Sequence, residues 1–297
     1  MRMNAARSLL LVACALPALA FAQTTSTIDK VKQSGTMTIA YREASIPFSY
    51  LDDKAQPTGF AYEICLKIVD EVKKATGRAD LKLQTQAVTS ANRIPLLQNG
   101  TIDIECGSTT NNSERQKQVA FAINYFYTGT RFLVKAGTPV TSIDDLKGKT
   151  VVSTTGTTNY KIIRNLSEEK KLNIDLLGAK DHAESALMVQ TGRAVAFGMD
   201  DILLYGLRAS AQDPSQLAVV GEAIQVEPYA IMLRKDDPEF KKLVDATLTG
   251  LIKSGEFEKL YRKWFQSPIP PKGINLQAPM SKELIENLKV LSDKPAT

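Results

Sequence analysis

Three arginines stand in polar loops, and their chemistry gives the first functional signal in the sequence. Arg42 follows a short apolar segment, Arg93 follows Thr89-Ser-Ala-Asn92, and Arg115 closes the run Ser108-Thr-Thr-Asn-Asn-Ser-Glu. Strand ends and helix starts are the places where α/β sheets bind ligands. The planar guanidinium matches a carboxylate, and the first N–H groups of a helix add positive potential. The pattern indicates a site for a small carboxylate, although each arginine alone would also fit a solvated or structural ion pair.

The common signatures of catalysis and of metal binding are missing from the sequence. There is no G-x-S-x-G motif for a nucleophilic serine and no glycine-rich phosphate-binding loop. His182 is the single histidine, and beyond residue 22 the cysteines are Cys65 and Cys106. Metal sites need a cluster of such side chains. We therefore expect no catalytic residue, no bound metal and no cofactor.

The composition is that of an ordinary globular protein. The 297 residues are 43% hydrophobic and 23% charged, and they include 17 glycines and 13 prolines. A chain of this length favours about two domains. The 37 basic and 32 acidic residues leave a formal charge of +5, which is too small and too dispersed to indicate a nucleic-acid partner. Beyond residue 22, no segment approaches the roughly 18 apolar residues of a membrane-spanning helix.

The first 22 residues have the pattern of a secretory signal peptide. Arg2 and Arg7 precede an apolar run, and Ala20-Phe21-Ala22 fits the small-residue cleavage pattern. We expect cleavage after Ala22 and export of the mature chain. Leu11-Val-Ala-Cys14 also resembles a lipobox, which would make Cys14 a lipidated anchor; this alternative stays open.

Alternating strand and helix patterns predict an α/β fold. The predicted strands cover 36–41, 81–86, 102–106, 132–134, 150–153, a segment around 176–177 and a segment that follows Gly192. The predicted helices cover 58–76, 94–99, 156 toward 172, 183–191, 237–253, 255–266 and 281–291. Two stretches look alike, because Gln98-Asn-Gly100 and Gln190-Thr-Gly192 each end a predicted helix and precede a predicted strand. This repeat fits two similar α/β lobes better than one large sheet.

Cys65 and Cys106 leave two interpretations open. In an oxidising compartment the two thiols could pair. They could equally remain two buried free thiols, because the sequence does not show whether their Cα atoms approach within about 7 Å.

A family resemblance extends across essentially the whole mature chain. The segments that carry it are Tyr41-Arg-Glu-Ala-Ser-Ile-Pro-Phe-Ser-Tyr50, residues 89–112, Asp145-Leu-Lys-Gly-Lys149, Gly156-Thr-Thr158, Ala179-Lys-Asp-His182, Gly192-Arg-Ala-Val-Ala-Phe197, Asp200-Asp201 and Met232-Leu-Arg-Lys-Asp-Asp-Pro238. In these segments the chain resembles the type II periplasmic solute-binding proteins of polar amino-acid ABC transporters (bacterial extracellular solute-binding family 3). Segment 89–112 is specific to their glutamate/aspartate-binding branch.

The resemblance implies a fold and a function. Two similar α/β lobes would be joined by two hinge strands, with a ligand cleft between them; lobe 1 would comprise 23–128 plus 229–297, and lobe 2 would comprise 129–228. The protein would capture L-glutamate or L-aspartate by cleft closure, without catalysis. It would deliver the ligand to a cognate ABC permease in the inner membrane, and we expect it to be a monomer.

The resemblance also implies roles for individual residues. Arg115 would take the ligand α-carboxylate, helped by Ser108, Thr110 and Thr158, and Asp200 would take the α-ammonium. The residues that would bind the side-chain carboxylate in the dicarboxylate branch are Arg42, Ser90 and Arg93. His182 matches a position that reaches the cleft, although a hydrogen-bonded histidine at the lobe surface would fit as well.

The charges of an acidic amino acid agree with these implied roles. Glutamate carries two carboxylates and one ammonium, and a closed cleft that strips their water must supply a partner for each charge. The arginines and Asp200 satisfy that inventory. An enzyme of the dehydratase type on the same fold is the alternative; it would need a further acidic residue in the cleft, for which Glu43 and Glu105 are the candidates.

One feature departs from the family pattern. Close relatives often carry a second cysteine in the strand before Met232-Leu-Arg-Lys, as the disulfide partner of the cysteine in Glu105-Cys-Gly107. Here that stretch is Tyr229-Ala-Ile-Met-Leu233, which contains no cysteine. Against the family pattern, we predict a relocated bridge between Cys65 and Cys106.

Overall fold

A computed structural model describes residues 26–296. The predicted signal peptide at 1–22, its cleavage after Ala22 and the alternative lipidation of Cys14 lie outside the described residues. In the part of the chain that is described, no helix has both the length and the apolar character needed to cross a membrane.

Strands and helices alternate along most of the chain. The strands are β1 (Thr36–Tyr41), β2 (Ala44–Ser45), β3 (Ser49–Leu51), β4 (Pro57–Thr58), β5 (Lys82–Ala87), β6 (Ile104–Glu105), β7 (Val119–Phe121), β8 (Phe126–Lys135), β9 (Thr150–Thr154), β10 (Asp175–Ala179), β11 (Ala196–Asp200), β12 (Leu217–Tyr229) and β13 (Met232–Arg234). The α-helices are α1 (Thr27–Ser34), α2 (Phe60–Thr76), α3 (Arg93–Gln98), α4 (Ser113–Gln116), α5 (Thr158–Glu169), α6 (His182–Gln190), α7 (Asp201–Ser210), α8 (Pro238–Lys253), α9 (Glu256–Phe265) and α10 (Lys282–Val290). Short 3-10 helices cover Ile143–Leu146 and Pro214–Gln216.

Two five-stranded sheets have the same arrangement of strands. Their spatial orders are β5-β1-β6-β13-β7 and β10-β9-β11-β8-β12. In each sheet the central strand has a parallel neighbour on one side, β1 or β9, and an antiparallel neighbour on the other, β13 or β8. The third sheet in the described part of the chain has three strands, in the order β2-β3-β4. The predicted α/β fold with two similar lobes is confirmed.

The two lobes are joined by a pair of adjacent strands. β8 and β12 pair antiparallel from Phe126 and Tyr229 to Lys135 and Leu217. At the Phe126–Tyr229 end, the rings of both residues pack against Phe48 of the first lobe, with centroids 4.9 and 5.2 Å away. These are the two hinge strands of the expected fold. Both strands include the lobe boundaries expected at 128/129 and 228/229, and these boundaries stay a prediction.

The repeated helix–glycine–strand unit has a backbone explanation. Gly100 and Gly192 have φ of +77° and +78°, a region that residues with a Cβ rarely adopt. Each glycine follows a helix, α3 or α6, and reverses the chain into the central strand of its sheet. The similarity between the two stretches therefore reflects equivalent positions in the two lobes.

A disulfide joins Cys65 on α2 to Cys106 at the end of β6, as predicted, with the two Cα atoms 6.2 Å apart. Both residues are buried. Cys106 lies two residues before Ser108, so the bridge ties the longest helix of the first lobe to a loop that carries predicted ligand residues.

Loss of the bridge is expected to lower stability strongly. The two cysteines are 41 residues apart in sequence, and closing a loop of that length contributes about 4 kcal/mol in the chain-entropy description. In urea titrations of a chain that begins at residue 23, Cys65→Ala/Cys106→Ala should lose about that free energy of unfolding. Alkylation of unfolded, unreduced protein at two thiols would contradict the bridge.

Candidate functional site

The predicted ligand residues lie at strand ends and helix starts on both sides of one small cavity. The first lobe supplies residues after β1, β5 and β6, and the second lobe supplies residues at the starts of α5 and α6 and at the end of β11. The cavity is small, with a volume of only about 10 Å³. Its predicted lining residues are Ser90, Arg93, Ser108, Thr110, Arg115, Thr158, His182 and Asp200. Thr157, Asn159 and Met199, which were not predicted, also line it.

Arg42, the remaining predicted residue, is not among the lining residues but contacts two of them. Its Nη2 donates to Ser90 Oγ at 2.9 Å and approaches His182 Nε2 at 3.3 Å, while Nε donates to the carbonyl oxygen of Val88. Burial, together with the charge of Arg93, lowers the pKa of Arg42 to about 10, so the group stays protonated at neutral pH. Its Nη1 has no hydrogen-bond partner among residues 26–296. Arg42 thus joins the two lobes and retains an unused donor.

Arg93 belongs to a buried charged chain. Its Nη1 donates to Thr109 Oγ1 at 2.5 Å, and Thr109 donates in turn to Glu105 Oε2 at 2.6 Å. The guanidinium also lies 3.8 Å from Glu105 Oε1. Both charged side chains are at most 2% exposed. Glu105, one of the two candidate catalytic acids, is therefore the counter-ion of Arg93. The other candidate, Glu43, is exposed.

Arg115 connects the lobes at another point. Asn112 caps its short helix, α4, by accepting from the Arg115 backbone N–H at 2.9 Å. The guanidinium donates to the Thr110 carbonyl at 2.9 Å and, across the cleft, to the Gly156 carbonyl at 3.1 Å. Burial and the charge of Arg93 lower its pKa to about 9. The group nevertheless stays cationic at neutral pH, so it can bind a carboxylate.

His182 is a neutral member of the same network. Burial, Arg42 and Arg93 lower its pKa well below 6.5. A guanidinium can only donate, so Nε2 must accept from Arg42, and the proton therefore lies on Nδ1. Nδ1 is 2.8 Å from Thr154 Oγ1 and donates to it. At 1% exposure the residue lies in the cavity wall rather than at the outer surface of the protein, and both of its ring nitrogens have hydrogen-bond partners.

Asp200 is the carboxylate of the cavity wall. Its Oδ1 accepts from Asn159 Nδ2 at 2.8 Å, and its Oδ2 accepts from the Tyr229 hydroxyl. Burial, reinforced by the negative charge of Glu227, raises its pKa to about 7. A cation bound beside it would stabilise the ionised form and lower that pKa.

Two further polar residues were missed by the sequence interpretation. Glu227 on β12 is buried and accepts from the hydroxyls of Thr110 and Thr158 at 3.1 and 2.6 Å. Asn159 donates to Asp200 and to Thr130, and its Oδ1 has no partner in the described chain. Glu227 lies 117 residues from Thr110 in sequence, so no local pattern connects the two. Asn159 could have been identified, because it lies at the start of a predicted helix, where ligands commonly bind.

Within residues 26–296, no three histidine, cysteine, aspartate or glutamate side chains are placed to hold a metal ion. The site is a set of arginine donors and carboxylate acceptors between two lobes.

Comparisons with known proteins show the family to which the chain belongs. A sequence profile of the bacterial extracellular solute-binding proteins, family 3, matches residues 37–267. An L-glutamate/L-aspartate-binding protein of Pseudomonas aeruginosa is 50% identical over 273 residues, which are 92% of this chain and 90% of the relative. The glutamate/aspartate import solute-binding protein of Salmonella typhimurium is 48% identical over 91% of this chain and 89% of its own.

Solved structures give the same result for the fold. The ancestral amino acid-binding protein AncCDT-1, a precursor of cyclohexadienyl dehydratase, superposes with a TM-score of 0.68 at 28% identity, covering 82% of this chain and 100% of its own. The profile match and the identity over most of both chains place the protein in one family. The chain belongs to the bacterial extracellular solute-binding proteins of family 3.

Proposed function

We propose that this protein captures L-glutamate or L-aspartate between its lobes and delivers it to an ABC permease in the inner membrane. The observation that carries the proposal is the set of charges around one interlobe cavity. Arg42, Arg93 and Arg115 are each at most 8% exposed, and Asp200 is 2% exposed. Relatives at about 50% identity are named for binding or importing these two amino acids. The relatives are binding proteins, so the dehydratase-like alternative is set aside.

The charged groups of the ligand have matching partners on the two sides of the cavity. Arg115, with Ser108 and the first turn of α5 at Thr158, forms the end that takes the α-carboxylate, because first-turn N–H groups favour an anion. Ser108 Oγ has no hydrogen-bond partner within the described chain and is free to donate. Asp200 takes the α-ammonium.

The side-chain carboxylate of the ligand lies at the opposite end. Arg93 Nε and Arg42 Nη1 have no partner in the described part of the chain and supply charge-assisted donors. Ser90 holds Arg42, and neutral His182 accepts from it across the cleft. A neutral side chain, as in glutamine, would leave a buried arginine without an anion, which disfavours it by a few kcal/mol.

Contacts across the cleft support closure of the lobes around the ligand. Arg115 reaches Gly156, Arg42 reaches His182, and Thr110 reaches Thr158 at 3.5 Å between hydroxyl oxygens. Each contact joins a residue that binds the ligand to the other lobe. Hinge motion at β8 and β12 would therefore complete or open the site.

Thermal unfolding of ligand-stripped mature protein tests the proposal. At about 100 times Kd a ligand contributes roughly 2.7 kcal/mol, which raises the Tm of a protein of this size by several degrees. We expect shifts with L-glutamate or L-aspartate and little effect of L-glutamine or L-arginine. Absence of a shift with both acids would overturn the proposed ligand.

Export and assembly complete the proposal. The signal peptide at 1–22 would direct the chain to the periplasm, where a soluble capture protein meets its permease. The intact mass of the exported protein distinguishes cleavage after Ala22 from lipidation at Cys14. Light scattering on the purified protein checks that it is a monomer.

A further inference from the structure

Glu227 is a buried carboxylate at the junction of the two lobes that the proposed ligand contacts do not use. It lies on the hinge strand β12, two residues before Tyr229, and is 3% exposed. Its Oε2 accepts from Thr110 of the first lobe at 3.1 Å and from Thr158 of the second lobe at 2.6 Å. Its Oε1 accepts from Gln225 Nε2 at 3.2 Å. One carboxylate therefore holds a side chain of each lobe.

These hydrogen bonds determine what the two threonines can offer a ligand. A hydroxyl group has one proton to donate and two lone pairs to accept with. The hydroxyl oxygens of Thr110 and Thr158 lie 3.5 Å from each other but 3.1 and 2.6 Å from Glu227 Oε2, so both hydroxyls donate to the carboxylate. Both threonines line the cavity. Each hydroxyl oxygen therefore has only lone pairs left to offer a ligand. Lone pairs accept a hydrogen bond from an ammonium group and repel a carboxylate oxygen.

We propose that Glu227 is a positioning residue. It accepts hydrogen bonds from the hydroxyls of Thr110 and Thr158, so that both hydroxyl oxygens act as acceptors for the ligand α-ammonium. This inference rests on the proposed function and changes one part of it. The threonine hydroxyls serve the ammonium, and the α-carboxylate is left to Arg115, Ser108 and the N–H groups of α5.

The neighbouring residue Asn159 independently presents a hydrogen-bond acceptor to the same cavity. Its side-chain N–H groups donate to Asp200 Oδ1 and Thr130 Oγ1, both at 2.8 Å. Its Oδ1 is buried, lines the same cavity and has no partner within residues 26–296. Asp200, Asn159 and the two threonines thus present acceptors around one region. An ammonium group, with three donors, is the part of an amino acid that fits there.

The test compares ligands with and without the ammonium. Glu227→Gln replaces the anionic acceptor by a neutral amide, so the hydroxyls of Thr110 and Thr158 are no longer held by a charged acceptor and can turn their protons toward the cavity. L-glutamate binding should weaken about 10- to 100-fold, the size of a lost hydrogen bond to a charged group. Glutarate, which has both carboxylates but no ammonium, should bind the variant as well as it binds the wild type, or more tightly.

Calorimetry with L-glutamate, and displacement of L-glutamate by glutarate, give the two affinities. The matched control is Glu222→Gln, which makes the same change at an exposed position of β12. Equal weakening of both ligands, or unchanged glutamate binding, would overturn the inference. If the wild type binds neither glutamate nor aspartate, the proposed function fails and this inference fails with it, which is a separate result.

A second pair of variants keeps the test valid if Glu227→Gln does not fold. Thr110→Val removes the hydroxyl at nearly constant volume, and Thr110→Ser keeps it. Thr110→Val should lose glutamate affinity selectively over glutarate, whereas Thr110→Ser should retain the wild-type ratio. The same ratio in both variants would contradict the assigned role.

Discussion

Asp200→Asn is expected to abolish high-affinity glutamate binding and at the same time to stabilise the ligand-free protein. The variant removes the anionic partner of the α-ammonium in a buried site. Truncating one member of such a pair costs about 2–5 kcal/mol, or roughly 30- to several-thousand-fold in affinity. Calorimetry with L-glutamate measures this loss. Retention of wild-type affinity would contradict the assignment of Asp200.

The gain in stability follows from the raised pKa of Asp200. Its pKa rises from 3.8 to about 7 on folding, chiefly through burial, with Glu227 and Asp201 adding negative charge. A raised pKa gives a contribution that is fully present below about pH 4 and is lost as the pH rises through about 7. Above that pH the buried carboxylate costs up to about 4 kcal/mol, which asparagine avoids.

Urea titrations at pH 5 and pH 8 check this dependence. The excess stability of Asp200→Asn over the wild type should grow with pH, and Asp53→Asn, which makes the same change at an exposed position, should lack this growth. Glutamate affinity of the wild type should fall as the pH drops below about 7, because the ammonium binds the ionised form. A pH-independent affinity between 5 and 8 would contradict the raised pKa.

Arg93→Ala is expected to remove dicarboxylate binding and to destabilise the protein by about 3–5 kcal/mol. The reason is Glu105, which has 0% side-chain exposure and would keep its buried charge without the guanidinium. Chemical unfolding measures the stability, and calorimetry with L-glutamate measures the binding. The matched control is Arg262→Ala, whose arginine forms an exposed ion pair with Glu258 and should change stability by less than about 1 kcal/mol.

A second substitution separates the two effects of Arg93. In the Arg93→Ala background, Glu105→Gln removes the orphaned charge while keeping an acceptor for Thr109. Most of the lost stability should return, and glutamate binding should not. Recovery of binding would show that Arg93 acts only through folding.

The parts of the fold that were predicted correctly have strong local signals. The apolar segment at 36–41 became β1 at Thr36–Tyr41, and the periodic segment at 58–76 became α2 at Phe60–Thr76. The hinge strands were less visible. β8 was predicted only at 132–134 but spans Phe126–Lys135, and β12 was not predicted at all. β12 contains Gly221, Glu222 and Pro228 and has no regular alternation, so its pairing with β8 determines its conformation.

In the site, too, residues within local sequence motifs could be predicted, whereas contacts between distant segments could not. Family-like segments pointed to Arg42, Arg93, Arg115 and His182, and the structure brings these residues together. Their ligand contacts stay predictions. Sequence reasoning did not find that Glu105 pairs with Arg93 through Thr109, or that Glu227 pairs with two threonines, because such contacts depend on how distant segments fold together.

The strand order of the two sheets has a consequence for the growing chain. The second sheet takes all of its strands from 126–229, whereas the first sheet needs β13, which stands between β6 and β7. Met232 pairs with both Glu105 and Phe121. A nascent chain can therefore complete its second sheet while the first sheet still has a gap at its centre. The lobe that begins first along the polypeptide is the one that closes last.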